Sequence, residues 1–208
     1  MSRTADPLRL FEPRVIGTLL AFVGLCGTLF VLIAGWVGGL EAVVRAGPDL
    51  AAMMPSTAVA LAALFAVHAL FGRSGRPPKV TLIGLLMTAA FLPVINLIML
   101  AVGASGLEAS FAPVRDTDRM AAGTAILTLV ACAATASLFL GSAARQGWTL
   151  ALSTLGLSTS VAILIAHPFT PGSHYALPGC AEMSIFTAVA LLTLFATLLV
   201  RLWERNED

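Results

Sequence analysis

An all-helical integral membrane protein with six transmembrane helices is the fold class that this 208-residue sequence predicts. Three observations lead there. The chain is 58% apolar and only 11% charged, about half the charge of an ordinary soluble domain, too little for a water-facing surface. Its apolar residues gather into six charge-free blocks, each close to the ~20 residues that cross a hydrocarbon core as a helix. Short motifs recur at nearly constant spacing, so the six helices read as three parallel two-helix repeats, with the amino and carboxyl ends both inside (N-in/C-in).

The first block runs over about residues 15–36. Its apolar stretch is too long for a secretory leader, and Gly35-Trp36-Val37-Gly38-Gly39 is a poor cleavage site. Glu41, Arg45, Gly47, Pro48 and Asp49 separate it from the second block, about 53–71. The third covers about 80–102 and contains Pro93 and Asn96, where a kink is expected. The fourth, fifth and sixth cover about 120–140, 148–166 and 183–200. All are expected to be helical, because lipid offers no partners to backbone amides and the blocks lack the alternation of a barrel strand. The organisation is then a cytoplasmic amino-terminal segment (1–14), a membrane domain (15–201) with repeats at about 15–73, 80–145 and 148–201, and a cytoplasmic stub (202–208).

Basic residues flanking membrane helices are retained on the cytoplasmic side. Arg3, Arg9, Arg14, Arg73, Arg76, Lys79, Arg145, Arg201 and Arg205 fall on one side of the six blocks, and Arg45, Arg115 and Arg119 on the other. The outer loops are then about 37–52, 103–119 and 167–182, carrying Glu41, Asp49, Glu108, Asp116, Asp118 and Glu182. A net charge of +1 gives no indication of nucleic-acid binding; the lipid bilayer is the partner that the basic inner loops imply.

Gly39-Leu40-Glu41-Ala42 recurs as Gly106-Leu107-Glu108-Ala109, and in both copies a Met follows twelve residues after the Glu. The pattern Met-x-x-x-Thr-Ala then occurs three times, from Met53 to Thr57, from Met120 to Thr124 and from Met183 to Thr187, and the first and third copies continue as Thr-Ala-Val-Ala-Leu. Such repeats suit a pseudo-threefold bundle about an axis normal to the membrane. One reading of the motif is a capping and packing device copied by duplication. The other is a ligand site: helix starts carry unpaired amides and partial positive charge, and Thr57, Thr124, Thr187, Met53, Met120 and Met183 would line an outer pocket with Glu41 and Glu108 at its rim. Asn96, beside Pro93, is the best single intramembrane candidate for a ligand contact or an interhelical bond.

Gly35-Trp36, an outer loop, Met53-x-Pro55-x-Thr57-Ala58 and two further hairpins opening on Met and Thr-Ala resemble the membrane-embedded input regions at the amino ends of bacterial histidine kinases and diguanylate cyclases. The resemblance covers about residues 15–201. It implies a sensory input module in the bacterial cytoplasmic (inner) membrane, with the last helix leading through Leu199-Val200-Arg201-Leu202-Trp203-Glu204-Arg205 toward a cytoplasmic output domain or partner, and it implies a homodimer. Any catalytic output would lie beyond residue 208, so these residues are not expected to form an enzyme.

The chain contains no Gly-x-Ser-x-Gly elbow, His-Glu-x-x-His, P-loop or dinucleotide fingerprint. No cofactor is expected: His68 falls toward the inner end of the second helix and His167 at the outer end of the fifth, and on this topology their lying on opposite sides of the membrane rules out that pair as haem ligands. His167, His174, Cys180 and Glu182 are weak metal candidates, since their spacing matches no compact zinc pattern. Cys26 and Cys132 are expected to pack as small apolar residues. Two alternatives to sensing stay open: a small transporter or channel-like protein, and a non-catalytic subunit of a membrane complex.

Overall fold

The computed structural model describes residues 12–47, 50–71, 78–104, 107, 118–140, 145–166 and 183–207, and every regular element among them is helical. Helix α1 (Pro13–Phe30) runs without a break into a π-helical segment (Val31–Val37), followed by the short α2 (Glu41–Val44). Then come α3 (Pro55–Phe71), α4 (Lys79–Ala101), α5 (Ala122–Leu140), α6 (Gln146–Ala166) and α7 (Ile185–Glu207). Five stretches are long and apolar enough to cross a membrane: Pro13–Val37, Lys79–Ala101, Ala122–Phe139, Gln146–Ala166 and Ile185–Asn206. That is the mark of a multi-pass membrane protein.

The second apolar block gives a shorter helix. α3 has 17 residues, about 25 Å of rise. Its start is set locally: Pro55, with no amide hydrogen to donate, suits a first helical turn, and the Met53 amide is already bonded to the Val44 carbonyl (2.7 Å). At the other extreme, α7 continues to Glu207, beyond the end of its apolar block at residue 200. α4 runs through Pro93 as one continuous helix.

The helices form a ring around a centre. α3, α5 and α7 touch one another, while α1 packs against α3 and α7, α4 against α3 and α5, and α6 against α5 and α7. Leu61, Leu64, Phe65, Ala131, Ala134, Leu191, Leu194 and Phe195 of the central helices are fully buried in one apolar core. Between apolar surfaces in lipid, association comes from close packing rather than from the release of water, and two glycines provide it. A Cβ added at Gly24 of α1 would overlap the ring of Phe65, and one at Gly156 of α6 the ring of Phe195. On α4, Val80, Ile83, Met87, Phe91, Val94 and Ile98 recur every three or four residues and are all exposed, which makes one lipid-facing stripe.

Candidate functional site

The three Met-x-x-x-Thr-Ala segments adopt the same local geometry. In each, the Ala amide makes an early helical bond to the carbonyl of the residue after the Met: Ala58 to Met54 (2.9 Å), Ala125 to Ala121 (3.1 Å) and Ala188 to Ser184 (3.0 Å). Met therefore precedes the capping residue, Thr is the third helical residue and Ala the fourth. This is the arrangement in which a hydrophobic residue before the cap packs on the fourth residue of the helix and fixes the entry angle of the chain. Met53, Met120 and Met183 are all buried, as are Thr57, Thr124 and Thr187 and the three alanines. In the third copy Ser184 also caps, its Oγ accepting from the Phe186 amide at 3.3 Å.

Around the first copy a bonded platform is built. The Trp36 indole Nε1–H donates to the Met53 carbonyl (2.9 Å), and Gly35 lies against Val44. Asn96, buried near the end of α4, donates to Ser56 Oγ (3.3 Å) and to the Leu92 carbonyl (3.1 Å). It thus joins α4 to the start of α3, the interhelical role among its two expected ones.

Glu41 and Arg45 take different positions from those of simple loop charges. Glu41 is largely exposed, but Arg45 is buried: its Nη2 meets Asp118 Oδ2 at 2.5 Å and its Nη1 donates to the Leu50 carbonyl at 2.8 Å. Arg45 Nε lies 3.0 Å from Glu41 Oε1 without hydrogen-bond alignment, an ionic contact rather than a directed bond. Asp118, expected in a loop facing water, has a side chain only 3% exposed. The pair ties the segment between α1 and α3 to the segment entering α5. Glu108 and the weak metal candidates His167, His174, Cys180 and Glu182 lie outside the described residues. Among the described residues no three His, Cys, Asp or Glu side chains gather.

The opposite end holds a second polar centre that sequence reasoning assigned to the cytoplasmic loops. Arg201 of α7 is buried. Its Nη1 donates to Glu204 Oε2 (2.7 Å), and its Nη2 donates to Thr18 Oγ1 of α1 and to the His68 carbonyl of α3 (both 3.0 Å). Arg14 Nε pairs with the other Glu204 oxygen at 2.9 Å, and Arg205 donates to the Leu138 carbonyl of α5. Thr135 donates to Ala131 O (2.7 Å), which uses its only hydroxyl proton, so His68 Nε2 at 3.3 Å is the donor in their contact, while the buried Nδ1 meets no hydrogen-bond partner. One local signal pointed to Arg201: it follows the apolar block directly, within the same helical run.

Cys132 packs in the core as expected, whereas Cys26 sits on the exposed face of α1. Of the polar residues on α6, Ser153 and Ser160 face inward, while Thr154 and Ser158 are exposed and Ser158 bonds back to the Thr154 carbonyl. No family model, curated protein or solved structure matches the chain.

Proposed function

We propose that the chain is a membrane-embedded sensory input module whose last helix carries a displacement to a cytoplasmic output. In this reading all six apolar blocks cross the cytoplasmic membrane of a bacterium, both ends face inward, and the bundle is three copies of a hairpin. The equal helix starts of α3, α5 and α7 support the copies, as does the contact between His68 and Thr135, residues 67 apart like Thr57 and Thr124. Equivalent residues meet in this way when they face a common axis at one depth.

The observation that carries the functional reading is the extension of α7. It stays helical to Glu207, past the apolar block, and its end is bonded to three of the helices around it: α1 through Thr18 and Arg14, α3 through the His68 carbonyl, α5 through the Leu138 carbonyl. A helix leaving a bundle through such a collar transmits a shift of packing to whatever it is joined to, provided the signal favours one of two packings. The fully buried Leu61, Leu64, Leu191 and Leu194 in the centre favour this reading over a conducting path.

The test is a fusion of residue 208 in frame to the dimeric catalytic output of a histidine kinase, with phosphorylation measured in lipid vesicles. Arg201→Gln is expected to shift basal output by several-fold in a folded, membrane-inserted chimera. Output identical to the parent chimera in Arg201→Gln and in Thr18→Val would overturn the proposal.

A further inference from the structure

We propose that α1 together with the π-helical segment that continues it is the coupling rod of the bundle, joining the start of α3 at one end to the carboxyl end of α7 at the other. Its use as a signal path rests on the sensory reading; the mechanical coupling does not. At one end of the rod, Trp36 holds the Met53 carbonyl, the residue that opens the Met-Thr turn of α3, and Gly35 admits Val44 against the helix. At the other end, a Cβ at Gly17 would stand 3.2 Å from Arg201 Nε and 3.3 Å from Val200 Cγ1, so the bare glycine is what lets the α7 side chains lie on α1. One residue on, Thr18 accepts from Arg201 at 3.0 Å, and its own hydroxyl proton goes to the Arg14 carbonyl at 2.8 Å. Thr18 and Trp36 are about 27 Å apart at 1.5 Å per residue.

The rod contains a discrete joint. Val31–Val37 is π-helical, and wide bonds follow it, from the Gly38 amide to the Ile33 carbonyl (2.8 Å) and from the Leu40 amide to the Ala34 carbonyl (3.2 Å). A π segment carries an extra residue relative to the α register, is rare, and recurs at functional positions in helices. Its relaxation to α geometry would turn Trp36 away from Met53 and rotate the two ends of the rod relative to one another. Packed interfaces respond to such a step by switching between arrangements rather than by deforming smoothly. The Gly17 and Thr18 face would therefore move against Arg201.

Coupling of this kind is reciprocal, which sets the experiment: hydrogen–deuterium exchange by mass spectrometry on the full chain in lipid nanodiscs. Trp36→Phe removes the indole donor and keeps an aromatic ring. It is expected to speed exchange of amides 202–207 about threefold or more, the factor one interhelical bond in a membrane typically carries, with the middle of α5 unchanged. Thr18→Val is expected to do the reverse, loosening amides 56–60, so that each variant checks the other if one folds poorly. The double variant is expected to exceed the larger single effect only slightly. Effects confined to the end that was mutated, effects spread evenly over all helices, or full additivity of the two substitutions would overturn the coupling. Coupled exchange with an unresponsive kinase fusion would sink the sensory reading and leave the rod standing; a responsive fusion without coupled exchange would do the opposite.

Discussion

Both ends of the bundle bury a guanidinium, and they neutralise it differently. Arg45 meets a carboxylate that is itself buried, with side-chain exposures of 8% and 3% for Arg45 and Asp118. Arg201 shares Glu204, which is 17% exposed, with the 63%-exposed Arg14, and donates from Nη2 to two neutral oxygens. The first arrangement has a closed core: two desolvated charges in direct contact join one connecting segment to the next, with the exposed Glu41 as a second acid against Arg45. The second is a shared network on helices, whose outermost member has water as an alternative partner. A closed pair acts as a clamp, whereas a shared network can exchange partners at lower cost. The difference fits a bundle anchored at its Met-Thr end and adjustable at the carboxyl end of α7.

Asp118→Asn should produce the largest effect, because it removes the buried counter-charge of Arg45 and leaves the exposed Glu41 in its place: a loss of about 3–5 kcal/mol, read from the denaturation midpoint in mixed detergent micelles. An equal loss from Arg201→Gln would erase the contrast between the ends. The expected value there is about 1.5–3 kcal/mol, the range for hydrogen bonds to a charged group. Gly24→Ala tests the packing between the ends. It sets a methyl into the Phe65 ring and should cost about 1–3 kcal/mol, whereas Gly27→Ala, which meets nothing within 4 Å, should stabilise the helix by about 0.5–1 kcal/mol. Asn96→Ala, breaking the bond to Ser56, should cost about 0.6 kcal/mol by the same denaturation assay. Arg14→Gln should be smallest, about 0.5 kcal/mol or less, since an exposed ion pair is screened by water and salt; a loss as large as that of Arg201→Gln would mean that the network is as closed as the clamp.

Much of this arrangement could be read along the chain. The apolar blocks gave the helices to within a few residues at most ends, because a hydrophobic run in lipid has helix as its main satisfied backbone conformation. The Met-x-x-x-Thr-Ala repeat marked three helix starts, and the structure gives the motif its local form, a buried Met before the cap and a buried Ala as the fourth helical residue. The polar centres were less legible. Arg45 and Asp118 are 73 positions apart, and neither carries a local sign of its partner. By a rule that counts charges flanking helices, Arg201 reads only as a cytoplasmic flank of the last helix, yet its guanidinium lies under α1 and α3 because Gly17 makes room for it and Thr18 and His68 accept from it.

The sequence by itself determined the membrane class, the positions of the helices and the repeated way in which three of them begin. These are consequences of composition and of interactions within a few residues, which the chain carries wherever it goes. Tertiary structure alone decided which helices are central, which of two similar-looking arginines meets a buried acid and which a shared one, and that a tryptophan and a threonine 18 positions apart hold different neighbours from the two ends of one helix. Those facts depend on which surfaces meet. In lipid that choice is made by shape, by a missing Cβ at Gly17, Gly24 or Gly156, and by the need of each buried polar group for a partner.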